Sequence, residues 1–217
     1  MSDLESIATY LPGRFIVLDG GDGVGKSSQL ELLAEALTVA GMEVCCLRDP
    51  GSTAVGDRIR DILLHGPDDH IDPTCEMLLF MASRAQMLAE KICPALAAEQ
   101  VVLCDRFVSS TVAYQGASGV DTQQIIDLWD ATGSTWPDLT LVLDLPADAA
   151  LTRARAETGN GGDRMERRDA DYHARVNAGF RDLPASYPAP VRVVSAAGDI
   201  DAIHEAIVDA LAEEFDR

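Results

Sequence analysis

Apolar residues along the chain follow two alternating rhythms. Short runs such as Phe15-Ile16-Val17-Leu18 and Val101-Val102-Leu103-Cys104 are continuous, as strands covered on both faces require. Between such runs the apolar positions recur at helical spacing, with Leu30, Leu33 and Leu37 in one segment and Met77, Leu78, Met81, Ala85 and Leu88 in another. The pattern predicts strands over about 14–19, 43–47, 101–104, 139–145 and 191–194. It predicts helices over about 27–40, stopped by Gly41, then 57–64, a long one from Asp72-Pro73, and others around 121–131, 147–157, 166–182 and 200–214. Strand and helix alternate throughout, so the expected fold is α/β, a parallel five-stranded sheet flanked by helices. Ligands of such folds bind beyond the C-terminal ends of the strands. Residues 1–13 lack periodicity and end in Pro12-Gly13, which reads as an extension ahead of a single domain over 14–217.

Three elements of that pattern carry chemistry to the expected ligand edge. After the first strand comes Gly20-Gly21-Asp22-Gly23-Val24-Gly25-Lys26-Ser27-Ser28, a strand–glycine loop–helix with the G-x-x-x-x-G-K-[ST] spacing. Glycines let successive backbone N–H groups face one anion, the helix adds its positive end, Lys26 reaches phosphate, and the Ser27 hydroxyl suits Mg²⁺. The 48–52 turn follows the second strand, and Asp105-Arg106 closes the third. There Asp105 suits the Mg²⁺ shell, and Arg106 suits a bidentate phosphate clamp.

Two further segments look functional. Phe80 and Arg84 lie four apart on one helix face, placed to stack on a base and hydrogen-bond it. Farther on, a Gly/Asn-rich turn separates Arg153 and Arg155 from Asp163, Arg164 and Glu166, the layout of an arginine-bearing flap over a phosphate site.

Composition narrows the partners. A chain of 217 residues is ample for a layered core, and its formal net charge of −19 opposes nucleic acid or an anionic membrane as a partner. Only Lys26 and Lys91 are lysines, so a lysine inside the glycine loop stands out. No apolar run approaches a membrane span, and the start lacks a basic secretory signal. Five cysteines without a C-x-x-C read as reduced thiols, and together these features point to a cytoplasmic protein. The four histidines show no metal-ligand spacing, and no nucleophile motif accompanies Ser109, Ser110, Cys93 or Cys104.

With these residues in view the chain resembles the thymidylate kinases over about 14–214. The resemblance rests on the phosphate loop, R-D-P-G-S-T at 48–53, L-L-F-M-A-S-R-A-Q at 78–86 and D-R-F-V-S-S-T-V-A-Y-Q-G at 105–116, with the flap R-A-R…D-R-M-E. It implies a P-loop nucleoside-monophosphate-kinase fold with a short LID at about 153–168, transferring the γ-phosphoryl of ATP to dTMP with Mg²⁺.

The same resemblance implies roles. Residues 20–28 would bind ATP, with Ser27 and Asp105 serving the metal. Asp22 would contact the acceptor sugar, Phe80 would stack on thymine and Arg84 would bond its O4. Thr111 and Gln115 would meet the base from the other side, and Tyr114 would sit near the sugar 2′ position. Arg60 and Arg106 would hold the acceptor phosphate. The acid-Pro-Gly-Gly turn of the family is Asp49-Pro50-Gly51-Ser52 here. That turn makes Asp49 a substrate contact with a shortened reach and Asp49-Pro50 a candidate cis peptide.

The third variable loop position is Gly23, not arginine, so the transition-state cation would come from Arg153, Arg155 or Arg164. The resemblance also implies a homodimer through the 72–91 and 109–114 regions. Alternatives are a kinase for another nucleoside monophosphate, and a P-loop switch or ATPase with no acceptor pocket.

Overall fold

The computed structural model describes residues 7–65, 71–132, 135–146, 148–150, 152–153 and 163–216. Its elements run β1 (Phe15–Gly20), α1 (Lys26–Val39), β2 (Val44–Arg48), α2 (Ala54–Arg60), α3 (Pro73–Met87), α4 (Cys93–Ala97), β3 (Val101–Asp105), α5 (Val108–Ala117), α6 (Thr122–Ala131), β4 (Leu139–Asp144), α7 (Ala170–Ser186), β5 (Val191–Ser195) and α8 (Ile200–Phe215). A π-helical turn, Asp61–His65, prolongs α2, and another, Leu88–Ile92, joins α3 to α4.

The five strands form one parallel sheet in the order β2-β3-β1-β4-β5. All six residues of β1 and the first four of β3 are buried, as their unbroken apolar runs predict. The register sets Leu18 of β1 and Arg48 of β2 on either side of Asp105. The glycine loop, the 48–52 turn and Asp105-Arg106 therefore leave the sheet side by side, where the strand order reverses around β1.

Two apolar clusters, one on each face, sandwich the sheet. One joins Phe15, Val17 and Phe107 to α3, α5, α6 and α7, and the other joins Ile16, Leu18 and Leu103 to α1 and α8. Edge-to-face contacts run from Phe15 to Phe107 (4.9 Å) and on to Trp129 (5.3 Å), keying α6 to the sheet.

Three elements differ from the sequence expectation. Residues 7–13, expected as an extension, pack into the domain, since Ile7 and Leu11 are fully buried in the α1/α8 cluster. Their two core side chains are too few to show a period. The pattern leaves 108–117 unassigned, yet it forms α5, one of the most buried helices, with Val108 to Gln115 all buried. And α7 starts at Ala170, not 166, because Asp169 caps it by accepting from Tyr172 N at 2.7 Å. The expected helix over 147–157 and the turn over 158–162 lie largely outside the described residues.

Candidate active site

A cavity of about 280 Å³ opens at the C-terminal edge of the sheet, lined by Asp22, Gly23, Lys26, Ser27, Asp105 and Arg106 at one end and by Phe80, Arg84, Thr111 and Gln115 at the other. Its first wall is the glycine loop. Gly20 has φ +131°, and a Cβ there would stand 2.4 Å from the Leu143 carbonyl oxygen of β4, so only glycine fits. The loop ends in Gly25 at φ +92°, which caps α1 without any side-chain hydrogen bond. By contrast Thr53, Asp72, Asp121, Asp169 and Asp199 cap α2, α3, α6, α7 and α8 with side-chain oxygens. The first turn of α1 thus keeps its N–H groups for an anion.

Lys26 is buried, and Nζ donates to the Gly21 carbonyl at 2.6 Å. Burial, then the neighbouring Arg106 charge, lowers its pKa to about 8 against the pull of Asp105, Asp22 and Asp19. Ser27 Oγ donates to Asp105 Oδ2 at 2.9 Å, while buried Asp105 Oδ1 has no partner among the described residues. An orphaned carboxylate oxygen beside a hydroxyl at the phosphate loop is the all-oxygen donor set that Mg²⁺ takes. Among the described residues there is no cluster of three or more His, Cys, Asp or Glu able to hold a metal by itself.

Arg106 organises the middle of the site. Its backbone is left-handed (φ +70°), a costly geometry for arginine that turns the chain at the end of β3. Its Nη1 donates to the Gly20 carbonyl (2.7 Å), Ser110 Oγ (3.3 Å) and Asp19 Oδ1 (3.4 Å), and Nη2 pairs with Asp22. Burial pulls its pKa down, but Tyr114, Asp22, Asp19 and Asp105 outweigh that and hold the guanidinium charged. Burial likewise pushes the Asp22 carboxyl up, and Arg106 and Lys26 reverse it, leaving Asp22 below the usual carboxylate range. Tyr114 Oη donates to Asp22 Oδ2 at 2.9 Å, and burial raises the phenol well above its ordinary value. Behind this row stands Asp19, fully buried, accepting from Ser109 Oγ (2.5 Å), Ser110 Oγ (2.7 Å) and Gly20 N (2.9 Å).

The far end is built from α3 and α5. Phe80 is 8% exposed at the cavity wall, and the Arg84 guanidinium carbon lies 5.5 Å from its ring centroid. Arg84 Nε pairs with Asp49 Oδ2 at 2.7 Å and Nη1 donates to Thr111 Oγ1 at 2.7 Å, which locks the guanidinium in one pose. Burial raises the Asp49 carboxyl despite Arg84 beside it. Asp49 is therefore engaged with Arg84 at this end of the cavity. The Asp49-Pro50 peptide is cis. Gln115 Nε2 donates to Glu76 Oε2 at 3.1 Å, and Gln115 Oε1 is buried without a partner among the described residues.

The flap candidates part company. Arg153 is exposed, with Nη1 3.4 Å from the Ala196 carbonyl, and Arg155 lies outside the described residues. Arg164 Nη1 pairs with Glu76 Oε1 at 2.5 Å and Nε donates to the Leu63 carbonyl at 2.9 Å, so it is held beside the cavity wall. Asp163 and Glu166 line the cavity, and Asp163 Oδ1 accepts from the Met165 and Glu166 amides. Arg60 also lines it, donating to the Pro50 carbonyl at 2.9 Å. Burial, then the nearby Arg48, lowers the Arg60 pKa.

Sequence reasoning missed Arg48, Asp19 and Glu76. Arg48 opens the 48–52 turn and lines the cavity. Glu76 is fully buried among Met77, Phe80 and Met81, and an acid at a core position of the α3 pattern was the available signal. Asp19 carried the weaker signal of an acid closing an apolar strand.

The Thymidylate kinase family model matches residues 18–207. A thymidylate kinase of Synechococcus sp. (strain JA-2-3B'a(2-13)) is 47% identical over 186 residues, 85% of this chain and 87% of that protein. One from Rhizorhabdus wittichii is 42% identical over 206 residues, 94% of this chain and 99% of its own length. Among solved structures, thymidylate kinase from Ehrlichia chaffeensis superposes with TM-score 0.74 at 29% identity, covering 92% of this chain and 98% of that one.

Proposed function

The chain belongs to the thymidylate kinase family and phosphorylates dTMP, and on that premise we propose how its residues divide the work. ATP is the co-substrate that a kinase of this family uses. Its phosphates lie on the amides of residues 20–28, at the uncapped start of α1, with Lys26 beside them. dTMP occupies the α3/α5 end, with Phe80 against the thymine ring and Arg84 donating to its O4. Thr111 and Gln115 face the ring from α5, while Tyr114 and Asp22 flank the sugar. Arg106 and Arg60 hold the 5′-phosphate.

A 5′-phosphate oxygen of dTMP attacks the γ-phosphorus in line as the bond to the β,γ-bridging oxygen breaks, giving ADP and dTDP for DNA precursor synthesis. The acceptor is already an anion, so no strong general base is needed. Catalysis then rests on positioning and charge. Mg²⁺, held at Ser27 Oγ and Asp105, supplies charge neutralisation on the phosphates when bound. Because Arg164 is paired with Glu76, we assign the transition-state charge to Arg153 and Arg155 of the flap. We also propose a cytoplasmic homodimer pairing through the exposed side of α3. Leu78 on α3 and Val55 and Ile62 on the neighbouring α2 segment are 50%, 44% and 51% exposed. Residues 109–114, which the resemblance also places in that interface, are buried within the single chain.

One observation carries the two-substrate reading. A single cavity joins the phosphate loop to an aromatic–arginine–glutamine end that hydrolysis of ATP alone has no use for. ADP release measured across acceptors should be fastest with dTMP, and comparable rates on dCMP or dGMP would sink the thymine assignment. Arg153→Ala and Arg155→Ala should lower kcat by 10²-fold or more with little change in KM for dTMP. Normal kcat in both would remove the flap from the mechanism.

A further inference from the structure

We propose that Glu76, a residue outside the substrate's reach, sets the enzyme's choice of thymine over cytosine by fixing which end of the Gln115 amide faces the base. The inference rests on the dTMP reading above. Glu76 is fully buried, and its two oxygens are divided: Oε1 takes Arg164 (2.5 Å) and Arg168 (3.5 Å), while Oε2 takes Gln115 Nε2 (3.1 Å). A carboxylate paired with two guanidiniums only accepts hydrogen bonds, so the amide must turn its NH₂ to it. The reverse orientation would set the amide oxygen against a carboxylate oxygen out of water, a repulsive and unsatisfied arrangement.

The consequence is read at the other end of the amide. Gln115 is 1% exposed, lines the cavity, and leaves Oε1 without a partner among the described residues. An acceptor held there calls for an N–H on the ligand. Thymine and uracil carry one at N3, whereas cytosine presents a bare N3 acceptor. Arg84, locked by Asp49 and Thr111, supplies a fixed donor for the 4-oxo group. The pocket is thus polarised as one donor beside one acceptor. Glu76 maintains the acceptor half without touching substrate and is a positioning residue.

Its removal has a distinctive signature. In Glu76→Gln the side chain can donate as well as accept, so the Gln115 amide is free to rotate and offer NH₂ to cytosine N3. The test measures kcat/KM for dTMP, dCMP and N3-methyl-dTMP with ATP in wild type, Glu76→Gln and Gln115→Leu. Wild type should reject dCMP and N3-methyl-dTMP strongly, because a buried polar group is left unpaired by either. In Glu76→Gln the dTMP-to-dCMP ratio should fall tenfold or more, through KM rather than kcat. Gln115→Leu, which leaves the Glu76–Arg164 pair in place, should lose at least tenfold of the same ratio and most of the discrimination against N3-methylation. A general structural defect would lower both substrates together and leave the ratio alone. That outcome in Glu76→Gln overturns the proposal. So does an unchanged ratio in Gln115→Leu, which decides the matter even if Glu76→Gln does not fold. Failure of wild type to turn over dTMP would instead overturn the reading on which the inference rests.

Discussion

At the residue scale the chemistry is concentrated in groups whose charge is set by their neighbours. Lys26 is the clearest. With a pKa near 8 in the free protein, against 10.5 ordinarily, it is partly neutral in mildly alkaline solution. The depressed value means that its contribution to stability is present above pH 10.5 and lost as pH falls through about 8, where the buried amine must carry charge. Nucleotide phosphates reverse this by favouring the ammonium. Binding of an ATP analogue at pH 8.5 should therefore take up a substantial fraction of a proton, and at pH 6.5 almost none. Calorimetry in buffers of different ionisation enthalpy measures this directly. Lys26→Arg, which stays charged throughout, should abolish the uptake, and wild type showing none at pH 8.5 would contradict the buried-amine account. The loop lysine and Ser27 are legible in sequence because their motif is local, and Asp105 because it closes an unbroken apolar strand. Asp19 and Glu76 are not, because their partners Ser109, Ser110, Arg164 and Gln115 come from distant turns of the chain.

At the element scale, strands read well and one helix did not. α5 carries Val-Ser-Ser-Thr-Val, poor helix formers without an amphipathic stripe. Burial on every side replaces propensity here, with α7 coming so close that a Cβ on Gly179 would lie 3.2 Å from Ala113 Cα. That packing presents Thr111, Tyr114 and Gln115 to the cavity from one rigid helix. The apolar pattern places the start of α7 four residues early because a charged run hides its boundary, which Asp169 sets as a cap. Asp169→Ala should cost about 1 kcal/mol and lower Tm by about 2–4 °C in a thermal melt, with dTMP turnover nearly intact at 25 °C. An unchanged Tm would show that the cap carries no stability.

At the scale of the whole molecule, one parallel sheet gathers residues from across the chain onto a single edge. The exposed Leu78 on α3, with Val55 and Ile62 nearby, gives that assembly an apolar side suited to a second copy. Leu78→Glu should shift light-scattering mass from dimer to monomer while the site residues of one chain stay in place. A wild-type monomer at micromolar concentration would remove the dimer proposal. The sequence by itself determined the five strands, the parallel α/β class, the phosphate loop and the family, because these depend on periodicity and on motifs a few residues long. It also pointed to Phe80, Arg84, Thr111, Tyr114 and Gln115 through one contiguous stretch and one helix face. Only the tertiary structure decided that Arg164 is tied to Glu76, that Asp49 is bound to Arg84, that Asp19 underpins Arg106, and that Ile7 and Leu11 belong to the core. The first three are pairings of buried or largely buried groups far apart in the chain, and the fourth is apolar packing over a similar separation. Burial makes such a pairing obligatory, but only the fold chooses the partner.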